Sequence, residues 1–247
     1  MKNDDYQIFG IRAIIEAINS GKSVDKVFIQ KDLKGDLIKE LENLIRRNGV
    51  GFSYVPVEKL NRLTKGNHQG VVASISPIVF HDLEELVEKV LEKPKTPLFL
   101  LLDQLSDVRN FGAIIRTAEC TGVDAIIIQK KGAAPVTADT IKTSAGAAFK
   151  VPIAKVDHLK DAVFYLQSSG IKVICATEKT QKTLYDVSFS EPCAIVMGSE
   201  DMGISPSILR VSDDSAKLPL LGEIGSLNVS VACGVFLYEV VRQRQLA

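Results

Sequence analysis

Ile8, Ile11, Ile14, Ile15 and Ile18 recur at helical spacing, so residues 8–19 predict an amphipathic helix. The turn residues Asn19, Ser20, Gly21 and Lys22 follow, and Val27, Phe28 and Ile29 predict a short strand. A second amphipathic helix is expected over residues 37–47, closed by Asn48 and Gly49 as a C-cap. Residues 53–57 and 70–75 read as strands. These elements predict a small α/β module over residues 1–76. Residues 77–97 begin and end on proline, and a short helix is expected inside them at 83–91. The cluster Pro94-Lys95-Thr96-Pro97 then breaks the chain, so this segment reads as a linker.

From Leu98 the pattern changes. Residues 98–102, 125–128, 173–176 and 194–197 are continuous apolar runs of strand length. Runs without alternation suit strands buried on both faces. Helical stretches separate them at 112–120, 159–168 and 205–210. Strands alternating with helices predict a parallel α/β sheet covered on both faces, forming a second domain over 98–247.

Composition adds few constraints. The chain of 247 residues has a formal net charge of zero, so it lacks the global basic signature of many nucleic-acid binders. Residues 1–76 nevertheless hold 12 Lys/Arg against 9 Asp/Glu, which makes the front module mildly basic. The four cysteines, Cys120, Cys175, Cys193 and Cys233, form no C-x-x-C pair and stand in apolar contexts, so buried thiols are expected. With three histidines and no paired cysteines, no metal site is expected. No leader-like apolar region follows residues 1–5, and no apolar run reaches the ~18 residues of a membrane span. A cytoplasmic protein without membrane contact is the expectation.

A parallel α/β domain suggests a nucleotide-type ligand at the strand C-termini. Neither G-x-G-x-x-G nor G-x-x-x-x-G-K-[ST] occurs, which weighs against a dinucleotide-binding dehydrogenase, a P-loop NTPase and an ordinary Rossmann-type methyltransferase. Three other segments carry candidate chemistry. The first is Asn110-Phe111-Gly112-Ala113-Ile114-Ile115-Arg116, where a polar loop turns into a helix. On its own Arg116 reads as a solvated helix arginine. The second is Met197-Gly198-Ser199-Glu200-Asp201-Met202-Gly203, a strand followed by an acidic turn bracketed by glycines that permit close backbone approach. On its own it is equally an ordinary strand-to-helix turn. The third is Gly225-Ser226-Leu227-Asn228-Val229-Ser230, a cap-like cluster heading an apolar helical run.

In this order and spacing, the three segments resemble the signature motifs of the SpoU–TrmH branch of the SPOUT RNA methyltransferases. Within that branch the likeness is greatest to the 23S rRNA guanosine 2′-O-methyltransferases. Phe9-Gly10-Ile11-Arg12 and Asn67-His68-Gln69-Gly70 are similar to the opening and closing marks of that family's N-terminal RNA-binding module. Residues 143–148 resemble a further family segment, whose small residues permit close packing. The resemblance spans nearly the whole chain. It implies an α/β fold in which a small N-terminal RNA-binding module precedes a parallel-sheet methyltransferase domain containing a trefoil knot. It also implies methylation of an RNA ribose 2′-hydroxyl with S-adenosylmethionine as cofactor, and a homodimer whose active site borrows from the partner.

The implied catalytic residues are Asn110, Arg116, Glu200, Ser226 and Asn228. The implied cofactor contacts are Gly198, Leu218 and Leu227, with Ser226 and Asn228 nearby. Arg12, His68 and Arg109 are assigned to RNA, although His68 reads equally as a turn histidine. Val108 and Asp201 depart from residues common in relatives, at positions that shape loops. A tRNA ribose methyltransferase of the same family is the nearest alternative. A non-catalytic RNA-binding protein on this fold would be expected to lack Asn110, Arg116 or the Ser226/Asn228 pair.

Overall fold

The computed structural model describes residues 6–246; residues 1–5, read above for a leader, lie outside that range. The chain divides into two compact units, one formed by the residues up to Val79 together with Pro135–Ala138, the other by Phe80–Ala134 and the residues from Asp139 onward.

The first unit holds β1 (Gln7–Phe9), α1 (Ile11–Asn19), β2 (Val24–Gln30), α2 (Asp36–Arg47), β3 (Gly51–Val55), α3 (Val57–Leu63) and β4 (Val71–Ile75). Its mixed sheet has the order β1-β4-β2-β3, with β2 and β3 parallel and the other pairs antiparallel. Helices α1 and α2 bury Ile14, Ile15, Ile18, Ile38, Leu41 and Ile45 against Val27, Ile29, Val71 and Ala73. Two expectations change here. Ile8 lies in a strand rather than in the first helix, because Gly10 takes φ 91° and separates β1 from α1. The strand expected at 53–57 ends at Val55, because Pro56 has no N–H for the ladder and instead opens α3.

The second unit holds α4 (Leu83–Leu91), β5 (Leu98–Leu102), α5 (Val108–Cys120), β6 (Ala125–Gln129), α6 (Ala138–Thr143), β7 (Ile153–Val156) and α7 (Leu159–Ser168). It continues through β8 (Lys172–Ala176), β9 (Cys193–Met197), α8 (Pro206–Leu209), β10 (Asp214–Ala216) and α9 (Val229–Leu246). All six strands are parallel, in the order β10-β8-β9-β5-β6-β7. Phe99, Leu101, Ile127, Val173 and Val196 face a core built with α4, α7 and α8. Leu98, Leu100 and Leu102 alternate to the other face and are also buried, as the unbroken apolar runs require. Helices α5 and α9 pack on each other, and α9 reaches β9.

The segment expected as a linker contains the expected short helix, α4. Leu86, Val87 and Val90 of α4 are buried in the second unit's core. Helix α4 is capped by Asp82, whose carboxylate accepts from the backbone N–H groups of Glu84 and Glu85.

At the N-terminal edge of the sheet, Arg244 of α9 ties several chain ends together. It donates to the carbonyl oxygens of Thr96, Pro97, Phe189 and Glu191 at 2.8–3.0 Å and to Cys193 Sγ at 3.4 Å.

Candidate active site

Ligands of open parallel sheets bind outside the strand C-termini, where the strand order reverses. Here β5 leads outward through β6 to β7, while β9, β8 and β10 lie on its other side. The crevice between β5 and β9 is that reversal. The first two candidate segments leave from the two strands that border it.

Beyond β5, Asp107 caps α5 by accepting from Asn110 N at 2.7 Å. This fixes Asn110 in the first turn. Beyond β9, the turn carrying Glu200 folds back on itself through the reciprocal bonds Ser199 N–Gly203 O (3.2 Å) and Gly203 N–Ser199 O (3.0 Å). Gly198 is buried, and a Cβ there would overlap the backbone of Gly203 and Ile204. The return of the turn itself thus demands a glycine at this position.

Asn228 immediately precedes α9. Its Oδ1 accepts from Ser230 N at 3.0 Å, Ser230 Oγ at 2.6 Å and Val231 N at 3.4 Å, the geometry of an N-cap. Because backbone N–H groups can only donate, the amide orientation of Asn228 is fixed and its Nδ2 faces the crevice. Nδ2 donates to Asn110 Oδ1 and to Glu200 Oε1, both at 3.0 Å. Asn110 Oδ1 is then an acceptor, and Asn110 Nδ2 donates to Glu200 Oε1 at 2.6 Å. One carboxylate oxygen receives both amides, in a network whose direction is set by the free N–H groups of α9.

The network borders a cavity of about 570 Å³, within the range of small-molecule sites. Met197, Leu218, Leu227 and Phe236 supply apolar wall, and Thr177, Glu178 and Lys179 after β8 form another side. Gly198 and Ser226 also line it. From Leu218 to Leu227, no backbone N–H or C=O is hydrogen-bonded within the described residues. This open run of main chain leaves amides available to a ligand. Its start is held by Lys217, which donates to Lys182 O and accepts from Leu184 N.

The structure does not bring Arg116 into this network. Six residues after Asn110, it stands about 120° around α5 and about 9 Å further along the axis. Its side chain is exposed and forms no hydrogen bond or ion pair among the described residues. Arg109 is exposed in the first turn of α5, and Arg12 is exposed on α1. His68 is occupied on both ring nitrogens: Nδ1 accepts from Gly70 N at 2.9 Å, so Nε2 carries the proton toward Asn61 Oδ1 at 3.0 Å. This matches the turn-histidine reading.

Close packing is also what α5 meets at the start of the 143–148 segment. A Cβ at Gly112 would stand 2.7 Å from Thr143 Cβ and 3.1 Å from the Thr140 carbonyl oxygen.

The cysteines supply no nucleophile here. Burial pushes Cys175 up to about 11 and Cys233 up to about 12, and it raises Cys193 as well. Cys120, expected to be buried, is exposed because it ends α5 on the helix's outer side. Among the described residues no cluster of His, Cys, Asp and Glu could hold a metal ion, and no helix is long and apolar enough to cross a membrane.

Comparison with known proteins places this geometry in context. Residues 97–238 match the SpoU rRNA Methylase family, and residues 7–79 match the family described as RNA 2′-O ribose methyltransferase substrate binding. A Bacillus subtilis protein named for the TrmH family of tRNA/rRNA methyltransferases is 33% identical over 97% of this chain and 96% of its own length. The AdoMet complex of the SpoU methyltransferase AviRb from Streptomyces viridochromogenes shares the fold. Its TM-score is 0.62 at 24% identity, covering 98% of this chain and 91% of that one. The TrmH/SpoU tRNA modifying enzyme of A. aeolicus is 30% identical with a TM-score of 0.56, over 66% of this chain and 85% of its own.

Proposed function

The chain belongs to the SpoU/TrmH family of RNA methyltransferases, and on that premise we propose that it methylates a ribose 2′-hydroxyl of RNA, with a guanosine of 23S rRNA as the target. The observation that carries this reading is the Asn110–Glu200–Asn228 network at the mouth of the cavity. S-adenosylmethionine is the proposed cofactor, and it supplies the electrophilic methyl group when bound. The residues fit it: the cavity is large enough, and the unpaired main chain between Leu218 and Leu227 suits recognition by backbone groups. Gly198 lets the turn close tightly against this wall, and Ser226 adds a hydroxyl at its edge. The knotted course of the chain belongs to the same reading.

A 2′-hydroxyl is a weak acid, so the chain must align it and stabilise the charge that grows as its proton leaves. Asn110 and Asn228, held by Glu200, orient the acceptor ribose. Arg116 presents a guanidinium with no ion-pair partner among the described residues, which suits it to hold the neighbouring phosphate and offset the developing alkoxide charge. Arg12 and Arg109 contribute RNA contacts, and His68 shapes its own turn. A tRNA substrate is the second reading, favoured by the likeness to the tRNA modifying enzyme.

Labelled methyl groups from S-adenosylmethionine should appear on ribosomal RNA from a strain lacking the gene, and 2′-O-methyl mapping should find one lost site. Loss of a tRNA site instead would replace the substrate. No transfer to either RNA would overturn the reading.

A homodimer is part of the same proposal. On α9, Val229, Cys233, Phe236, Leu237 and Val240 are buried within the subunit. Val231, Val235 and Tyr238 are exposed on the opposite side. An apolar face of this kind suits an isologous interface, across which Arg116 of one subunit would serve the other's network. Light scattering should return about twice the 26.9 kDa chain mass. A monomer with full turnover would refute the shared site.

A further inference from the structure

Asp103 directly follows β5 at the floor of the β5/β9 crevice and is 1% exposed. Its backbone N–H donates to Met197 O at 2.8 Å, at the last residue of β9. Its Oδ2 accepts from Ser205 N at 2.7 Å, at the residue that opens α8. Met197 and Ser205 flank the turn that carries Gly198 and Glu200, so a single residue grips both ends of that turn. The same residue begins the connection to Asn110, and Gln104 beside it takes φ 55°. Among the described residues, Oδ1 is buried without a hydrogen-bond partner, and the bond to Ser205 is the one hydrogen bond of this carboxylate.

A second buried carboxylate near the sheet has different surroundings. Asp124 lies at the opposite edge of the sheet, accepts from Leu98 N at 3.1 Å and pairs with Lys95 Nζ at 2.7 Å. That carboxylate is neutralised by a lysine, whereas Asp103 has no cation beside it among the described residues.

We propose that Asp103 is a positioning residue: it clips the Glu200 turn to the end of β5 and thereby sets the separation of Glu200 from Asn110. The proposal rests on the functional reading above for its activity arm. The clip requires that Glu200 drift when the Asp103–Ser205 bond is lost, although neither residue of that bond touches the network.

The test compares Asp103→Ala, Asp103→Asn, Ser205→Pro and their pairings in the full-length protein. Ser205 has φ −60° and ψ 141°, which proline adopts; the substitution removes the donor N–H and the hydroxyl and sets the ring Cδ against Asp103 Oδ2, a clash that Asp103→Ala relieves in the paired variant. Single-turnover methylation at saturating RNA and S-adenosylmethionine should fall by about 10- to 100-fold in Asp103→Ala and in Ser205→Pro, the scale of an ångström-sized misplacement. Both together should cost no more than either alone, since they remove one bond. Asp103→Asn should recover most of the rate, because its amide oxygen still accepts. Asp124→Asn should lower the melting temperature while the folded enzyme keeps its rate.

Hydrogen exchange at residues 199–204 supplies a readout independent of turnover, and it should accelerate in the two clip variants only. An inactive wild type would sink the functional reading while exchange still decided the clip. Additive losses, or unchanged exchange in Ser205→Pro, would overturn the clip itself.

Discussion

Arg116→Ala should lower the single-turnover rate of methylation by roughly 10² or more, the usual scale for a group that stabilises developing charge. The affinity for S-adenosylmethionine should stay unchanged, because the cavity is walled by the segments after β8, β9 and β10 and not by α5. Stability should also stay within about 0.5 kcal/mol of wild type, since the side chain is exposed and holds nothing in place. These three outcomes together separate chemistry from binding and from folding. Arg116→Lys should rescue poorly, because an ammonium lacks the planar fork that can grip phosphate and hydroxyl at once. Rapid-quench measurement at saturating RNA, with calorimetry for the cofactor, gives the comparison. A near-wild-type rate for Arg116→Ala would make this residue an ordinary solvated arginine and withdraw it from the site.

What could be read from the sequence follows from the range of the forces involved. The strands at 98–102 and 193–197 were legible because burial on both faces leaves unbroken apolar runs. The cap before α9 was legible because N-capping is a local preference. Gly10 was harder. Ile8 continued the helical spacing, and only the positive φ of Gly10 assigns it to a strand. Helix α3 gives no periodic signal in the sequence, because its seven residues bury only Leu60.

The site divides in the same way. Asn228 as a cap is a local fact, but its bond to Asn110 spans 118 residues, and no spacing rule predicts it. That pairing could be anticipated only through the family resemblance. Asp103 carries no signal in the sequence, since an aspartate after a strand looks like any loop residue. Its partner Ser205 is 102 residues away and contributes only a backbone N–H. Cys120 departs from the expectation of a buried thiol because an apolar neighbourhood in sequence says little about the last residue of a helix.

Asn228 carries two duties, and two substitutions should separate them. Asn228→Ala removes the cap of α9 and should cost about 1 kcal/mol of stability. It also removes the amide that Glu200 and Asn110 share, so turnover should fall as well. Asn228→Asp keeps an oxygen for Ser230 N and Val231 N, and a carboxylate is favoured at a helix N-terminus, so the melting temperature should stay near wild type. Its second oxygen, however, replaces an amide donor that lay 3.0 Å from Glu200 Oε1. Two carboxylates that close cannot both remain ionised without strong repulsion, so the pair's affinity for one proton rises.

At neutral pH the Asn228→Asp substitution should therefore push Glu200 out of the network and lose about 10² in rate, more than its intact stability would suggest. The sign of its pH dependence follows. As pH falls through the raised value of the pair, one shared proton restores a donor between the two groups, and the network can close again. The rate ratio of Asn228→Asp to wild type should thus climb toward mildly acidic pH, while the ratio for Asn228→Ala stays flat. A flat ratio for both variants, measured on folded protein at saturating substrates, would mean that Glu200 and Asn228 do not act together on the acceptor.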